Sequence, residues 1–224
     1  MKTRFVLLFF LLISAVAQFF AVTGDVIDRL VATVNGHVIL QSDWEDEVRY
    51  EAFCNARPLE QISPDERKVA LDRLIDQELL REQMTSADSQ HLTDDSINSR
   101  VAEIRKMWHE AKTEEDWRNA LGSYGLTESQ LKIRIRAELN LMDFVDAKLA
   151  PSVKIDSASV ESYYNQELLP SIQETGSAPQ TLANASTQIK ELLTQKRMNE
   201  LLVAWLQKLR SDSRVQTQTE SEPR

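Results

Sequence analysis

β-forming and polar residues alternate over the short stretch 26–48, VIDRLVATVNGHVILQSDWEDEV. The dipeptide Asn35-Gly36 has β-forming residues on both sides. Asn-Gly in this setting is the strongest short-range hairpin signal, because both central residues of a type I′ turn need positive φ. Ser42 then opens an S-x-x-E capping box. The pattern therefore predicts a two-stranded hairpin followed by a helix that begins at about Asp43.

Four amphipathic helices are predicted between Pro64 and Pro151, a span that contains no other proline. Their apolar residues recur at spacings of three and four, and each begins at a Ser or Thr that can cap a helix. The segments run from Ser63 to near Ser86, from Thr93 to about Glu110, from Thr113 to Gly122 or Gly125, and from Thr127 to Leu149. The residues of the fourth helix predicted to face inward are Leu131, Ile135, Leu139, Met142, Val145 and Leu149.

A different pattern follows Pro151. Asp156 or Ser157 caps a short helix that is predicted to end at about Leu169, and the segment 170–180 is turn-rich and weakly patterned. A long helix is then expected over about 184–211, with Trp205 in its apolar stripe and therefore in the core. Residues 214–218 could add a short strand, and the polar tail to the C-terminus is predicted to be disordered. The fold class is therefore mainly α with a small N-terminal hairpin.

The N-terminal segment 1–24 has the features of a signal peptide or membrane anchor. Lys2 and Arg4 precede an apolar run from Phe5 to Val22, interrupted by one serine and one glutamine. Ala15-Val16-Ala17 offers an A-x-A cleavage site, and Val22-Thr23-Gly24 offers a weaker one nearer the hairpin. Both interpretations export the body of the protein across a membrane.

Composition excludes several classes of partner. The formal net charge is −9, and it becomes −11 without residues 1–24, which carry two basic and no acidic residues. Such an acidic chain argues against nucleic acid and anionic lipid surfaces as partners. Cys54 is the single cysteine, so no intrachain disulfide forms and the fold must depend on apolar burial.

Catalytic and cofactor motifs are not found in the sequence. The three histidines are scattered, and His109-Glu110 lacks the second histidine of a zinc-protease motif. There is no nucleophile elbow, phosphate-binding glycine loop or dinucleotide fingerprint. The sequence therefore predicts no enzyme activity, no metal, no cofactor and no small-molecule ligand.

Five segments follow one another in a recognisable order. The hairpin stretch is followed by ALDRLIDQELLREQM, then by LGSYGLTESQLKIRIRAELNLMDFVDAKL, VKIDSASVESYYNQ and LLVAWLQKLRSDSRVQ. This order resembles the chaperone module of the SurA-type periplasmic folding factors, and the related region of the membrane-anchored PpiD proteins. The resemblance covers about residues 25–216. Its most specific parts are the V-x-x-V-N-G-x-V-I-L-x-S-D start and the L-I-D-x-x-L-L helix.

The resemblance implies a discontinuous module. The N-terminal hairpin would pair with the strand near Val215, and the last helix would pack back onto the N-terminal helical domain. The expected divisions are a helical chaperone domain at 25–169, a linker at 170–181, a helix and strand at 182–216, and a tail at 217–224. In the family, parvulin prolyl-isomerase domains stand where this chain has the short linker, so the resemblance implies a chaperone without isomerase activity.

The function expected from this resemblance is that of an ATP-independent periplasmic holdase. Its partners would be unfolded exported polypeptides, including outer-membrane proteins. Extended, aromatic-rich clients would bind weakly to a concave apolar surface between the helices. The bulky residues predicted to contact clients are Trp44, Phe53, Met107, Trp108, Trp117 and Tyr124. The alternative for each is a place in the core, where residues on a helical stripe usually lie. Two further hypotheses are an assembly subunit for one dedicated partner, and a homodimer that exchanges its last helix.

Overall fold

The computed structural model describes residues 28–85, 92–175 and 181–218. The predicted export segment 1–24 and most of the predicted disordered tail lie outside the described residues. In the part that is described, no helix is both long enough and apolar enough to cross a membrane.

The predicted hairpin is present. Strands β1 (Leu30–Val34) and β2 (His37–Leu40) pair antiparallel. The turn residues Asn35 and Gly36 have φ values of 50° and 98°. Both angles are positive, as the type I′ turn requires, and this confirms the prediction made from the Asn-Gly dipeptide.

The C-terminal strand joins the hairpin. Strand β3 (Val215–Thr217) pairs antiparallel with β1, so the strand order is β2-β1-β3. Asn35 reinforces this junction, since its backbone N–H donates to the carbonyl of Arg214 over 3.0 Å and its side-chain oxygen accepts from the Arg214 N–H over 2.8 Å. The predicted pairing of the two ends of the fold is confirmed.

Helices make up most of the described chain. The first five are α1 (Gln41–Cys54), α2 (Pro64–Arg81), α3 (Asp94–Met107), α4 (Glu114–Ser123) and α5 (Glu128–Leu149). They are followed by α6 (Ser157–Tyr163), a π-helical segment (Tyr164–Leu168), α7 (Leu169–Thr175) and α8 (Leu182–Asp212). Short 3₁₀ turns occur at Leu59–Gln61 and Ala150–Ser152. The mainly α fold with a small sheet is confirmed.

Predicted caps fix most of these helix starts. Ser63, Thr113 and Thr127 each accept from the backbone N–H three residues later and form reciprocal capping boxes. Thr93 and Asp156 cap α3 and α6 in the same way without the reciprocal bond. Each cap satisfies backbone donors that the helix itself leaves free.

The predicted start of α1 is wrong by two residues. The helix begins at Gln41, and the Asp43 carboxylate accepts from the Leu40 N–H over 2.9 Å. Ser42 instead bonds with Asp28 through both its backbone N–H and its hydroxyl. The S-x-x-E pattern is present in the sequence, but Leu40 and Asp43 form the hydrogen bond that caps the start of α1.

The segment after Leu169 is also more helical than predicted. Residues 169–175 form α7, although Pro170 was expected to end the helix. The helical backbone runs into Pro170 through a π-helical segment, in which the Leu169 N–H bonds to the Tyr164 carbonyl five residues back. The proline therefore follows a local change in the hydrogen-bond pattern.

The core is divided into four apolar clusters. The first joins α1, α3, α4 and α5, and the second joins the sheet with α2. In the third, α8 packs on the C-terminal halves of α2 and α5, while the fourth joins α6 to the start of α8. The last helix thus packs back onto the N-terminal helices, and Trp205 lies half-buried beside Phe144 with ring centroids 6.0 Å apart.

Candidate functional site

Four of the six residues predicted to bind clients form an aromatic cluster inside the first core. The Phe53 ring lies 4.9 Å from Trp108, 5.3 Å from Trp117 and 5.6 Å from Tyr124, measured between centroids. These separations are in the range where aromatic pairs attract beyond simple area burial. The helices α1, α3 and α4 therefore meet around a packed aromatic centre.

Burial gives this cluster a structural role. Phe53 is 0% exposed, Trp117 1% and Tyr124 8%. Trp108 donates from Nε1 to the Phe53 carbonyl over 3.0 Å, and the Tyr124 hydroxyl donates to the Arg57 carbonyl over 2.8 Å. Since their rings are packed and their polar atoms are satisfied, Phe53, Trp117 and Tyr124 offer a client almost no surface in this conformation, and the core alternative describes them.

The other two predicted residues lie elsewhere. Trp44 packs against the sheet cluster and donates from Nε1 to the Arg67 carbonyl over 2.6 Å, with the Arg67 guanidinium 5.7 Å from its ring centroid. Met107, at the end of α3, is 46% exposed. Client contact by Trp44, Met107 or the half-buried Trp108 is not tested by the structure, and it competes with binding in the groove described next.

A large open cavity lies in another part of the molecule, between α2, α5 and α8. It has a volume of about 830 Å³, and we call it the α2–α5–α8 groove. Helix α1 and strand β2 close one end of it. Its apolar wall is formed by Leu80, Met84, Leu141, Met142, Val145, Met198, Leu202 and Leu206.

Methionine is concentrated in this wall. Three of the five methionines of the chain line the groove, namely Met84, Met142 and Met198. Met142 is 54% exposed, although the helical pattern predicted that it faces inward. Methionine side chains are flexible and polarisable, so they adapt to apolar groups of different shape.

The groove exists because α8 is only partly buried. Within α8 only Ala185 and Ile189 are fully buried. Further along the helix, one apolar stripe packs partly buried against Leu80, Phe144 and Val145, and it consists of Met198, Leu201, Leu202, Trp205, Leu206 and Leu209. The helix therefore covers one edge of the apolar surface of α2 and α5 and leaves the rest open.

Charged side chains line the end of the groove near the sheet. Glu47 is 5% exposed, and its carboxylate lies 2.9 Å from Arg134 Nη1. Desolvation by burial raises the pKa of Glu47, and the charge of Arg134 opposes that shift without cancelling it. The Tyr50 hydroxyl donates to Glu138 over 2.8 Å, and burial raises the pKa of that phenol.

A second cavity continues the groove. It has a volume of about 620 Å³ and shares Asp146, Gln195 and Met198 with the first. Its remaining wall comes from the chain after α5, around Val153–Ile155, and from α8. The two cavities together form a continuous trough along α8.

Metal ligation and thiol chemistry can be examined among the described residues. Across ranges 28–85, 92–175 and 181–218, no three His, Cys, Asp or Glu side chains are placed to hold a metal ion. His91 lies outside the described residues. Burial raises the pKa of the Cys54 thiol to about 11, so this cysteine is protonated and unreactive at neutral pH.

The sequence predicted a concave apolar surface between helices, but none of the six bulky residues proposed for it lines this groove. The usable signal was the distribution of methionine, with Met142 and Met198 on the apolar stripes of the two longest helices. A stripe shows which face of a helix is apolar, but it does not show whether another element covers that face.

Two comparisons relate the sequence of this chain to known proteins. The model of the SurA-like N-terminal domain matches residues 1–144. The chain therefore belongs to the SurA-like N-terminal domain family, as the resemblance of the hairpin and helix motifs predicted. A curated relative, "Chaperone SurA" of Chromohalobacter salexigens, is 26% identical over 202 residues. The aligned part is 84% of this chain and 45% of the relative, so the chain spans about half the length of that protein.

Proposed function

We propose that this protein is an ATP-independent holdase that binds unfolded exported polypeptides, including outer-membrane proteins, in the periplasm. The observation that carries the proposal is the open, methionine-rich α2–α5–α8 groove. Membership of the SurA-like N-terminal domain family and the similarity to a protein named as a chaperone support the same role.

The binding step would follow from desolvation of apolar surface. An extended client segment lying between α5 and α8 would cover Met142 and its neighbours and remove their exposed area from water. Burial of a single apolar side chain contributes roughly 1.5–3 kcal/mol, so a segment with one or two anchors binds weakly and leaves readily. Such reversible capture requires no nucleotide.

Prolyl-isomerase activity is not part of the proposal. Helix α7 ends at Thr175 and α8 begins at Leu182, so no catalytic domain fits at the place where the resemblance puts a parvulin domain. A proline-containing peptide is therefore expected to isomerise at the uncatalysed rate in the presence of the protein. A clear acceleration would show that the chain has an activity this proposal leaves out.

Suppression of aggregation tests the holdase proposal. A denatured outer-membrane protein is diluted into buffer without ATP, and light scattering is followed with and without the purified protein. The wild type should suppress scattering at near-stoichiometric ratios. The double variant Met142→Ala, Met198→Ala should suppress less, whereas Val69→Ala, at a residue that is 52% exposed outside the groove, should match the wild type.

Two outcomes would contradict the proposal. If the folded wild type does not suppress aggregation, an assembly subunit for one dedicated partner becomes the better account, and a single stoichiometric partner in a pull-down would support it. If the double variant performs as well as the wild type, the groove is not the client site.

Export and oligomeric state complete the proposal. Residues 1–24 would direct export and be cleaved or retained as an anchor. Exchange of α8 between two copies also stays a prediction, since α8 packs on α2 and α5 of its own chain in this structure. The mass of the purified protein in solution distinguishes a monomer from an exchanged dimer.

A further inference from the structure

One wall of the groove places a carboxylate next to an apolar anchor. Glu138 and Met142 both line the groove from α5. They are four residues apart, so they lie on the same face of the helix with a rise of about 6 Å between them. Leu141 and Val145 extend the apolar part of this face beyond Met142.

The charges around the groove are unequal. Its lining holds six carboxylates and three guanidiniums. The guanidiniums are all engaged, because Arg73 pairs with Glu51, Arg81 with Glu78, and Arg134 with Glu47. The cations of the lining are therefore already neutralised by neighbouring carboxylates.

Two further carboxylates of the lining are also engaged. Asp76 accepts from Arg210 Nε over 2.6 Å, and Asp43 accepts from the backbone at the start of α1. His37 lies 3.5 Å from Glu78 through Nδ1. Asp76 is therefore already paired with a cation, and Asp43 is held at the start of α1 by its bond to the backbone.

Glu138 differs from these groups. It is half-buried and accepts one hydrogen bond, from the Tyr50 hydroxyl over 2.8 Å. Among the described residues, no cationic group forms an ion pair with it within 4 Å. The pKa of Arg100 is raised first by its hydrogen bond to Glu103, over 3.1 Å, and then by the more distant Glu138. A carboxylate has room for further donors, so Glu138 can accept a client cation at close range, while Arg100 acts on it only at longer range.

Building on the proposed holdase function, we infer that the groove prefers client segments in which Lys or Arg stands two residues from a large apolar side chain. In an extended chain, residues i and i+2 point to the same side and are about 6.6 Å apart. That separation matches the rise of about 6 Å from Glu138 to Met142. The cation of the client would pair with Glu138 while the apolar side chain contacts Met142 and the apolar wall around it.

The preference applies to one end of the trough. Lys154 and Lys190 line the second cavity, where the charge is no longer predominantly negative. Asp146, four residues beyond Met142, also has no ion pair among the described residues, but it lies where the two cavities meet and shares the second cavity with these lysines. The cation of the client is therefore recognised at the end of the groove near the sheet.

Three labelled nine-residue peptides test this inference by fluorescence anisotropy with the whole protein. The first has Lys two positions from a central Phe, and the second has the same composition with Lys adjacent to Phe. The third is identical to the first peptide except that Glu replaces Lys. The first peptide should bind about two- to fivefold more tightly than the other two, the effect of one partly exposed ion pair, and the difference should shrink as salt is added.

Variants on α5 locate the effect. Glu138→Gln should abolish the difference between the peptides while leaving an acceptor for Tyr50. Asp143→Asn removes a charge from the same helix at a residue outside the groove lining, and it should keep the difference.

Three results would overturn the inference. Equal binding of the Lys and Glu peptides contradicts it but leaves the apolar groove intact as a client site. If Glu138→Gln and Asp143→Asn reduce the difference in affinity between the peptides equally, the effect is one of net charge and not of a site at Glu138. If no peptide binds at all, the proposed holdase function fails together with the inference.

Discussion

The aromatic cluster and the α2–α5–α8 groove are built from similar apolar stripes but have different surroundings. Around Phe53, three aromatic rings lie within 5.6 Å of its centroid and little of the cluster reaches solvent. Met142 lies in a groove lined by leucine, valine and methionine as well as charged residues, and its side chain is 54% exposed. The first arrangement stabilises one conformation, whereas the second leaves surface that a partner can cover.

Truncation in the aromatic cluster should have the largest effect on stability. Trp117 is 1% exposed, so Trp117→Ala should lower the free energy of unfolding by about 3–5 kcal/mol, because it leaves a cavity that the helices cannot fill. Chemical denaturation measures this loss. Met107→Ala, at a 46% exposed residue beside the cluster, is the control and should cost less than about 0.5 kcal/mol. A loss below about 1 kcal/mol for Trp117→Ala would show that the cluster is not the centre of the fold.

Weakening the contact between α8 and α2 should have an intermediate effect on the free energy of unfolding. It should also increase the local opening of α8 beside the groove. Arg210 donates from Nε to Asp76 over 2.6 Å and from Nη2 to the Asp72 carbonyl over 2.9 Å. Arg210→Ala should cost about 1 kcal/mol, since the group is partly exposed and solvent screens the ion pair. Amide hydrogen exchange should become faster in the C-terminal part of α8. Arg197→Ala, which removes an exposed pair with Glu200 on α8 alone, should leave that exchange unchanged.

The buried carboxylate beside the groove should give stability a defined dependence on pH. Desolvation raises the pKa of Glu47 above its ordinary value of 4.5 despite the charge of Arg134. The folded state therefore binds a proton more tightly than the unfolded state. The contribution of Glu47 is fully present below pH 4.5 and is lost as the pH rises through the raised pKa.

Glu47→Gln should remove this dependence. The free energy of unfolding of the wild type, taken relative to Glu47→Gln, should fall as the pH increases from about 4.5 towards neutrality. Denaturation curves at several pH values measure the difference. A difference that grows with pH would mean that Arg134 outweighs desolvation and that the pKa of Glu47 is lowered.

The smallest stability change is expected in the groove. Met142→Ala should alter the free energy of unfolding by less than about 0.5 kcal/mol, because more than half of the side chain is already in water. The same change should weaken binding of an unfolded client, measured by titration of a labelled peptide. A large loss of stability with unchanged binding would assign Met142 to the core and contradict the comparison between the two regions.

The sequence was sufficient where local chemistry decides the structure. Asn35-Gly36 predicted the turn, and Ser63, Thr93, Thr113 and Thr127 predicted four helix starts. Each of these signals acts through hydrogen bonds within a few residues. The pairing of β3 with β1 is a long-range contact, and the resemblance to the SurA-type family supplied it, not the local pattern.

Local patterns failed where a residue distant in sequence competes for a hydrogen bond. They also failed where burial depends on whether another helix covers an apolar face. At the start of α1, Asp28 bonds to Ser42, which the capping pattern alone could not indicate. The periodicity of α5 placed Met142 on an apolar face correctly, but the incomplete cover by α8 leaves that residue exposed. The bulk of the aromatic residues suggested a client surface, whereas their mutual packing places three of them in the core.

Site-specific photo-crosslinking tests the central claim most directly. A photoreactive amino acid replaces Met142 in one protein and Met107 in another, two residues with similar exposure of 54% and 46%. Each protein is mixed with an unfolded outer-membrane protein and irradiated. We predict strong crosslinks to the client from position 142 and weak ones from position 107. Crosslinks mainly from position 107 would place the client beside the aromatic cluster and contradict the assignment of the groove as the binding site.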